Sequence, residues 1–354
     1  MSHEILVINP GSTSTKIGVF QDETLLFDVT LRHSAMEIGA YERVAHQKDF
    51  RKSLVLGALS ENGYDVKRLS AVAGRGGIIR PIPGGTYAVS DAMVHDCEVG
   101  AGGEHASNLG ALLAREIADE LSIPSFVVDP PVVDELSDVA RYSGHPLMQR
   151  QSKFHALNQK AVAKRYAKEA DRDYDTLNLI VCHMGGGISI GAHNHGRIVD
   201  TQNALDGEGP FSPERAGSLP SGDLVKLCFS GEYTEAQIKK MITGQGGLVA
   251  YVNSTDMKQL LIDAETDPQL AEVMDAFHYQ IAKEIGAMAA VMCGQIDQII
   301  LTGGVAYGPE SVEAISKHVS WIAPITVYPG EDELLALTQG ALRVLNGEEE
   351  LMEY

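Results

Sequence analysis

The run Ile5-Leu6-Val7-Ile8-Asn9-Pro10-Gly11-Ser12-Thr13-Ser14-Thr15-Lys16-Ile17-Gly18-Val19-Phe20 constrains this chain more than any other stretch. Its apolar ends read as two strands and its centre as a tight turn of small hydroxyl residues. Gly11 lets the backbone approach a ligand closely. Ser12, Thr13, Ser14 and Thr15 offer hydroxyl and amide donors around one point. Successive N–H groups in a concave turn bind an anion without side-chain bulk, so the turn suits phosphate. The competing reading is a Ser/Thr-rich surface hairpin with no ligand.

At 354 residues the chain is long enough for two packed domains. Hydrophobic content of 44% and charged content of 21% are those of a globular protein. The net charge of −20 argues against nucleic acid and anionic membrane surfaces as partners. The same field repels an anionic substrate, so a phosphate or carboxylate site needs locally placed cations or a metal. Cys97, Cys182, Cys228 and Cys293 are scattered without metal-ligand spacing, which fits reduced thiols. The first strand begins at Ile5, leaving no room for a signal peptide, and no apolar run approaches the roughly 20 residues of a membrane span. The expectation is a soluble, cytoplasmic protein.

A third strand over 24–31 completes an opening meander, followed by a helix over 49–61. Strand Ala71-Val72-Ala73 leads into Gly74-Arg75-Gly76-Gly77; after a helix over 106–121, strand 125–128 delivers Asp129-Pro130-Pro131. The opening pattern then recurs: strand 177–183, turn Met184-Gly185-Gly186-Gly187, strand 188–192, polar turn His193-Asn194-His195-Gly196, strand 197–201. A long helix over 268–293, strand 298–301, loop Thr302-Gly303-Gly304, a helix opened by Pro309, strand 325–328 and helix 331–345 close the chain. Two meanders, each with a glycine turn after its first strand, predict a structural duplication in an α/β fold with mixed sheets. The polar segment 138–152 places the boundary between domains 1–147 and 148–330, with 331–354 a candidate to pack on the first.

The absence of any Gly-Lys dipeptide excludes a Walker A loop. Gly100-Ala101-Gly102-Gly103-Glu104-His105 lacks the last small residue of a dinucleotide fingerprint and follows no clear strand. His193 and His195 form an HxH pair without a third ligand and read as a solvated turn. Two glycine hairpins instead suit a nucleotide site in which each domain grips part of one polyphosphate tail. Gly303-Gly304 would let a third loop approach the adenosine end.

The order Asn9-Pro10-Gly11-Ser12-Thr13-Ser14-Thr15-Lys16, Cys182-His183-Met184-Gly185-Gly186-Gly187, Thr302-Gly303-Gly304 resembles the acetokinase family of carboxylate kinases over the full length. Segments Lys153-Phe154-His155-Ala156-Leu157-Asn158-Gln159 and Asp206-Gly207-Glu208-Gly209-Pro210-Phe211-Ser212-Pro213-Glu214-Arg215-Ala216-Gly217 strengthen the likeness. The resemblance implies two duplicated actin-like (ribonuclease H-like) domains, with mixed sheets flanked by helices and the active site in the cleft between them. It implies ATP/ADP and Mg²⁺, a short-chain fatty acid and its acyl phosphate as substrates, and a homodimer or larger assembly. Asn9, Gly11, Ser12, Ser14, Lys16, His183, Gly185, Gly186, Gly187, Gly303 and Gly304 are then nucleotide-binding. Arg75, Asp129, His155 and Arg215 are catalytic, and Asn9 with Glu333 or neighbouring Asp332 is linked to magnesium. Gly186 stands where acetate kinase carries Asn, and the residues after Arg75 also differ, which favours an acid larger than acetate.

A fatty-acid carboxylate, with a pKa near that of Glu, about 4.3, is ionised at neutral pH and needs no general base. It needs positioning and relief of repulsion between two anions before in-line transfer. Asp129 is therefore expected to orient or to hold a metal; the alternative is a cap on its strand end. The other bland readings are a solvated helix start for His155, a core histidine for His183, a surface partner of Glu214 for Arg215, and acids at a helix N-terminus for 331–333. A sugar kinase of the same fold would make Asp129 a true base. A repressor or chaperone-like ATPase would need a DNA- or substrate-binding segment that this sequence does not display.

Overall fold

The computed structural model describes residues 2–354, which divide into two compact units, 2–133 with Asp332–Tyr354, and Asp134–Glu331. In the first unit the elements run β1 (Glu4–Pro10), β2 (Ser14–Gln21), β3 (Thr24–Arg32), α1 (Ala35–Gly39), α2 (Lys48–Glu61), β4 (Ala71–Arg75), β5 (Thr86–Ala88), α3 (Asp91–Val99), α4 (Asn108–Leu121) and β6 (Ser125–Val128). The second carries α5 (Ala156–Glu169), β7 (Asn178–Met184), β8 (Ile188–Asn194), β9 (Arg197–Thr201), α6 (Ser221–Cys228), α7 (Glu235–Ile242), α8 (Leu248–Val252), α9 (Met257–Ala264), α10 (Pro268–Val291), β10 (Gln298–Gly303), α11 (Pro309–Val319) and β11 (Ile325–Pro329). Helix α12 (Glu333–Leu345) returns to the first unit.

The first sheet has the order β3-β2-β1-β4-β6-β5 and the second β11-β10-β7-β8-β9. In each, the opening meander is antiparallel, and its first strand also pairs in parallel with the next strand of the sheet, β4 or β10. Strands β6 and β11 extend that parallel half. The two sheets thus share one topology, and β5 is an extra antiparallel edge on the first. The central strands are covered on both faces, so they read as unbroken apolar runs such as Ile5–Ile8 and Leu179–Cys182, all fully buried. Helix α4 packs on β4 so closely that a Cβ on Gly110 would lie 2.2 Å from the Arg75 carbonyl oxygen.

The domain boundary falls earlier than the composition suggested, because residues 134–147 are tied into the second unit. The Glu135 carboxylate accepts from the Ile198 N–H at 2.8 Å and pairs with Lys160 Nζ at 2.9 Å. The Ser137 N–H donates to the Val199 carbonyl at 2.9 Å. His193 was expected in a turn but is a fully buried residue of β8, leaving His195-Gly196 as the turn. The closing helix starts at Glu333, since Asp332 is its N-cap and accepts from the Leu335 N–H. Strand β5 and helices α6 to α9 had no clear signature in the sequence.

Gly110 tests the close packing that positions Arg75. Ala at a helix interior is ordinarily favoured over Gly by about 1 kcal/mol. Overpacking costs about 1–3 kcal/mol or more, and here the obstacle is backbone. Gly110→Ala is expected to lower stability by about 2 kcal/mol net, read as an earlier urea midpoint; an unchanged or later midpoint would contradict the packing.

Candidate active site

In each unit the chemically notable residues gather at the carboxyl ends of the parallel strands, where ligands bind in open α/β sheets. In the first unit Asn9 ends β1, Arg75 ends β4 and Asp129 follows β6. Arg75 Nη1 lies 2.7 Å and 2.8 Å from the two oxygens of Glu333, and 3.3 Å from Asn9 Oδ1. The Asn9 amide in turn donates to Glu333. All of the Arg75 bonds run through Nη1, which leaves the donors of Nε and Nη2 for an anion. Asp332 is committed to its helix cap, so Glu333 is the carboxylate that the structure brings to Asn9 and Arg75. Asp129 is buried in left-handed backbone (φ 38°), and its Oδ1 accepts from the Gly85 N–H at 2.8 Å. Lys16 is turned towards Asp28, with Nζ 3.3 Å from its carboxylate, both half-exposed.

The first glycine turn owes its shape to Arg51, a residue in the middle of α2 that sequence reasoning passed over. The residue is 1% exposed, and its guanidinium donates to the carbonyls of Gly11 (2.8 Å), Ser14 (3.0 Å) and Ser12 (3.4 Å), and to Thr15 Oγ1 (3.1 Å). Gln47 Oε1 takes its other protons, at 2.8 Å and 3.1 Å, and the His33 N–H holds the Thr13 carbonyl at 2.9 Å. Four consecutive carbonyls are thus drawn inward. Among the described residues the N–H groups of Ser12 and Thr13 donate to no protein acceptor, so they are left for an anion. None of the Arg51 partners is a carboxylate. Burial draws the Arg51 pKa down, and burial together with Arg51 draws that of His33 down.

The second unit repeats the device with different parts. The Gly186 carbonyl accepts from Ser212 Oγ at 2.7 Å and from the Glu214 N–H at 3.3 Å, and the Gly185 N–H donates to the Gly187 carbonyl at 3.0 Å. The N–H groups of Gly186 and Gly187 have no protein acceptor among the described residues. Arg215 lies against this turn, where a Cβ on Gly187 would stand 2.1 Å from its Nη1. That Nη1 donates to the Ala204 carbonyl at 2.9 Å; burial lowers the Arg215 pKa and Glu214 opposes the shift.

His155, the residue before α5, and His183 on β7 stack with ring centroids 3.9 Å apart and planes 15° apart. His183 donates from Nδ1 to Asn158 Oδ1 at 2.8 Å, and its Nε2 is 3.7 Å from Glu331. Gly303 (φ +89°) ends β10 and must be glycine, since a Cβ would meet the Met184 backbone at 2.4 Å. After it a cavity of about 340 Å³ opens, lined by Gly304, Val305 and Tyr307 with Met257 and Leu261 of α9. Among the described residues no group of three or more His, Cys, Asp or Glu could hold a metal, His193 and His195 included. No helix among them is long and apolar enough to cross a membrane.

The profile of the acetokinase family matches residues 139–329. The chain is 58% identical over 355 residues to a "Probable butyrate kinase" of Clostridium botulinum strain Alaska E43, covering the whole of both proteins. It is 54% identical over 357 residues to "Butyrate kinase 2" of Clostridium acetobutylicum, again over the whole of both. The chain belongs to the acetokinase family. Its fold is also that of the acetate kinase of Porphyromonas gingivalis, with a TM-score of 0.76 at 19% identity, covering 97% of this chain and 100% of that one. This acetokinase is a carboxylate kinase, a phosphotransferase using ATP/ADP, with the duplicated actin-like fold.

Arg51 had one legible signal: an arginine amid the apolar positions of α2, spaced with Val55, Ala58 and Leu59 on the buried face. Charge-assisted hydrogen bonds contribute about 1.5–3 kcal/mol, so the clamp matters to both turn shape and stability. In folded Arg51→Met the Kd for ADP is expected to rise tenfold or more, about 1.4 kcal/mol, by titration calorimetry. Arg51→Lys should fall between, because one ammonium cannot reach all of the carbonyls. Unchanged ADP affinity in folded Arg51→Met would refute the clamp.

Proposed function

We propose that this acetokinase-family enzyme transfers the γ-phosphoryl group of ATP to butyrate, giving butyryl phosphate and ADP, and runs the reverse reaction with the same groups. The observation that carries the choice of acid is the full-length similarity to proteins named butyrate kinases. An oxygen of the ionised acid bonds to the γ-phosphorus while the bond to the β-phosphate oxygen breaks. No proton has to move, so Asp129 orients its strand end rather than acting as a base.

The amides of Ser12, Thr13, Gly186 and Gly187, with the Ser12 and Ser14 hydroxyls, hold the polyphosphate. The cavity beside Gly303 and Gly304, about 340 Å³ and partly apolar, suits the nucleoside. Arg75 and Arg215 offset the charge of the transferred group and of the acid, and His155 and His183 donate to its oxygens. Lys16, bound to Asp28, adds only to the local field. Mg²⁺, when bound, would supply positive charge that offsets that of the phosphate groups. Asn9 and Glu333 offer oxygens, as Mg²⁺ prefers. Glu333, which Arg75 also holds, would be the carboxylate that holds the ion together with Asn9. The family resemblance further supports a cytoplasmic homodimer or larger assembly as the working form.

The test is hydroxamate formation from Mg-ATP and hydroxylamine with acetate, propionate, butyrate, isobutyrate or glucose. One methylene is worth about 1–3 kcal/mol, so kcat/KM is expected to peak at butyrate or isobutyrate and to fall tenfold or more by acetate. A peak at acetate would overturn the choice of acid. ADP release on glucose with no hydroxamate would overturn the reaction class.

A further inference from the structure

Behind His155 runs a file of buried polar side chains that the phosphate turns do not explain. His155 Nδ1 lies 2.9 Å from Ser189 Oγ. Gln159 Nε2 lies 2.8 Å from the same Oγ and 3.1 Å from the Ser189 carbonyl oxygen. Gln159 Oε1 is 3.1 Å from His193 Nε2, and His193 Nδ1 is 2.8 Å from the Tyr174 hydroxyl. Ser189, Gln159 and His193 are each 0% exposed. Gly191 makes room for the file, since a Cβ there would stand 2.3 Å from Gln159 Oε1.

The proton positions follow from what each atom can do. The Ser189 carbonyl only accepts, so the Gln159 amide group must point its NH₂ at Ser189 and its oxygen at His193. His193 therefore carries a proton on Nε2. Complete burial, and next Lys160, keep that imidazole neutral, so its Nδ1 accepts from Tyr174. Ser189 Oγ accepts from Gln159 and from the His155 backbone N–H at 3.4 Å. Its own proton is left for His155 Nδ1. The side-chain to side-chain bonds of the file all point the same way, from Tyr174 to His155.

We infer that Ser189, Gln159 and His193 are positioning residues that hold neutral His155 in the Nε2–H tautomer, so that it presents a donor to the oxygens of the transferred phosphoryl group. The inference rests on the reading of His155 as an active-site residue. A donor placed where charge develops strengthens in the transition state, so its loss falls on turnover more than on binding.

Long-range ¹H–¹⁵N correlation of the imidazoles of the full-length enzyme, with His155 assigned by its loss in His155→Gln, reads the tautomer directly. The Nε2–H pattern is expected, and an Nδ1–H pattern in active enzyme would overturn the inference whatever the variants do. In Ser189→Ala the pattern should become mixed. Its kcat for hydroxamate formation from butyrate should fall tenfold or more, while KM for ATP changes less than threefold. Gly191→Ala, which displaces Gln159, should reproduce that split. Unchanged kcat in folded Ser189→Ala would also overturn the inference. A wild-type enzyme that forms no acyl phosphate at all would overturn the functional reading instead.

Discussion

A backbone turn can offer its N–H groups to an anion only if something else takes its carbonyls, and both glycine turns of this protein depend on that condition. In the first unit a buried guanidinium and one backbone N–H draw in the carbonyls of residues 11–14. In the second, a serine hydroxyl and backbone amides take those of Gly186 and Gly187. The duplicated sheets thus arrive at the same electrostatic result by different local chemistry. The helices and strands around each turn are arranged to keep the clamp buried, where its hydrogen bonds are not exchanged for water.

The clamp in the first unit also addresses charge. A chain of net charge −20 repels both substrates of a carboxylate kinase, so positive charge has to be concentrated where phosphate sits. Arg51 and Arg215 are hydrogen-bonded to carbonyls, amides or a hydroxyl rather than to carboxylates, although the Glu214 carboxylate acts on Arg215 through its charge. Arg75 has a carboxylate partner in Glu333, yet it spends one nitrogen on it. Burial works against Arg51 and Arg215, but a guanidinium remains charged at neutral pH despite it.

Much of this was legible in the sequence because the parallel strands are buried on both faces and write themselves as apolar runs ending in glycine or a polar residue. The second meander, the strand before Arg75 and the strand before Asp129 all announce themselves in that way. What stayed hidden depended on long-range pairing. Arg51 reads as one more charged residue on a helix until its partners, some forty positions away, are known. His193 reads as a turn residue because its satisfaction comes from Gln159 and Tyr174 on other elements. The boundary at 133–134 was misplaced because residues 134–147 look polar and linker-like, while Glu135 and Ser137 anchor them to β9. The pairing of Glu333 with Arg75 was equally hidden, because it depends on a helix cap that occupies the neighbouring Asp332.

The central claim is that fixed cations and oriented amides, without a general base, carry the transfer. Arg215→Ala measures it most directly, by kcat for butyryl hydroxamate formation alongside the Kd for ADP. A fall in kcat of roughly 10³-fold is expected, with a change in ADP affinity of less than about tenfold. Near-normal turnover, or a loss that follows ADP affinity alone, would contradict it.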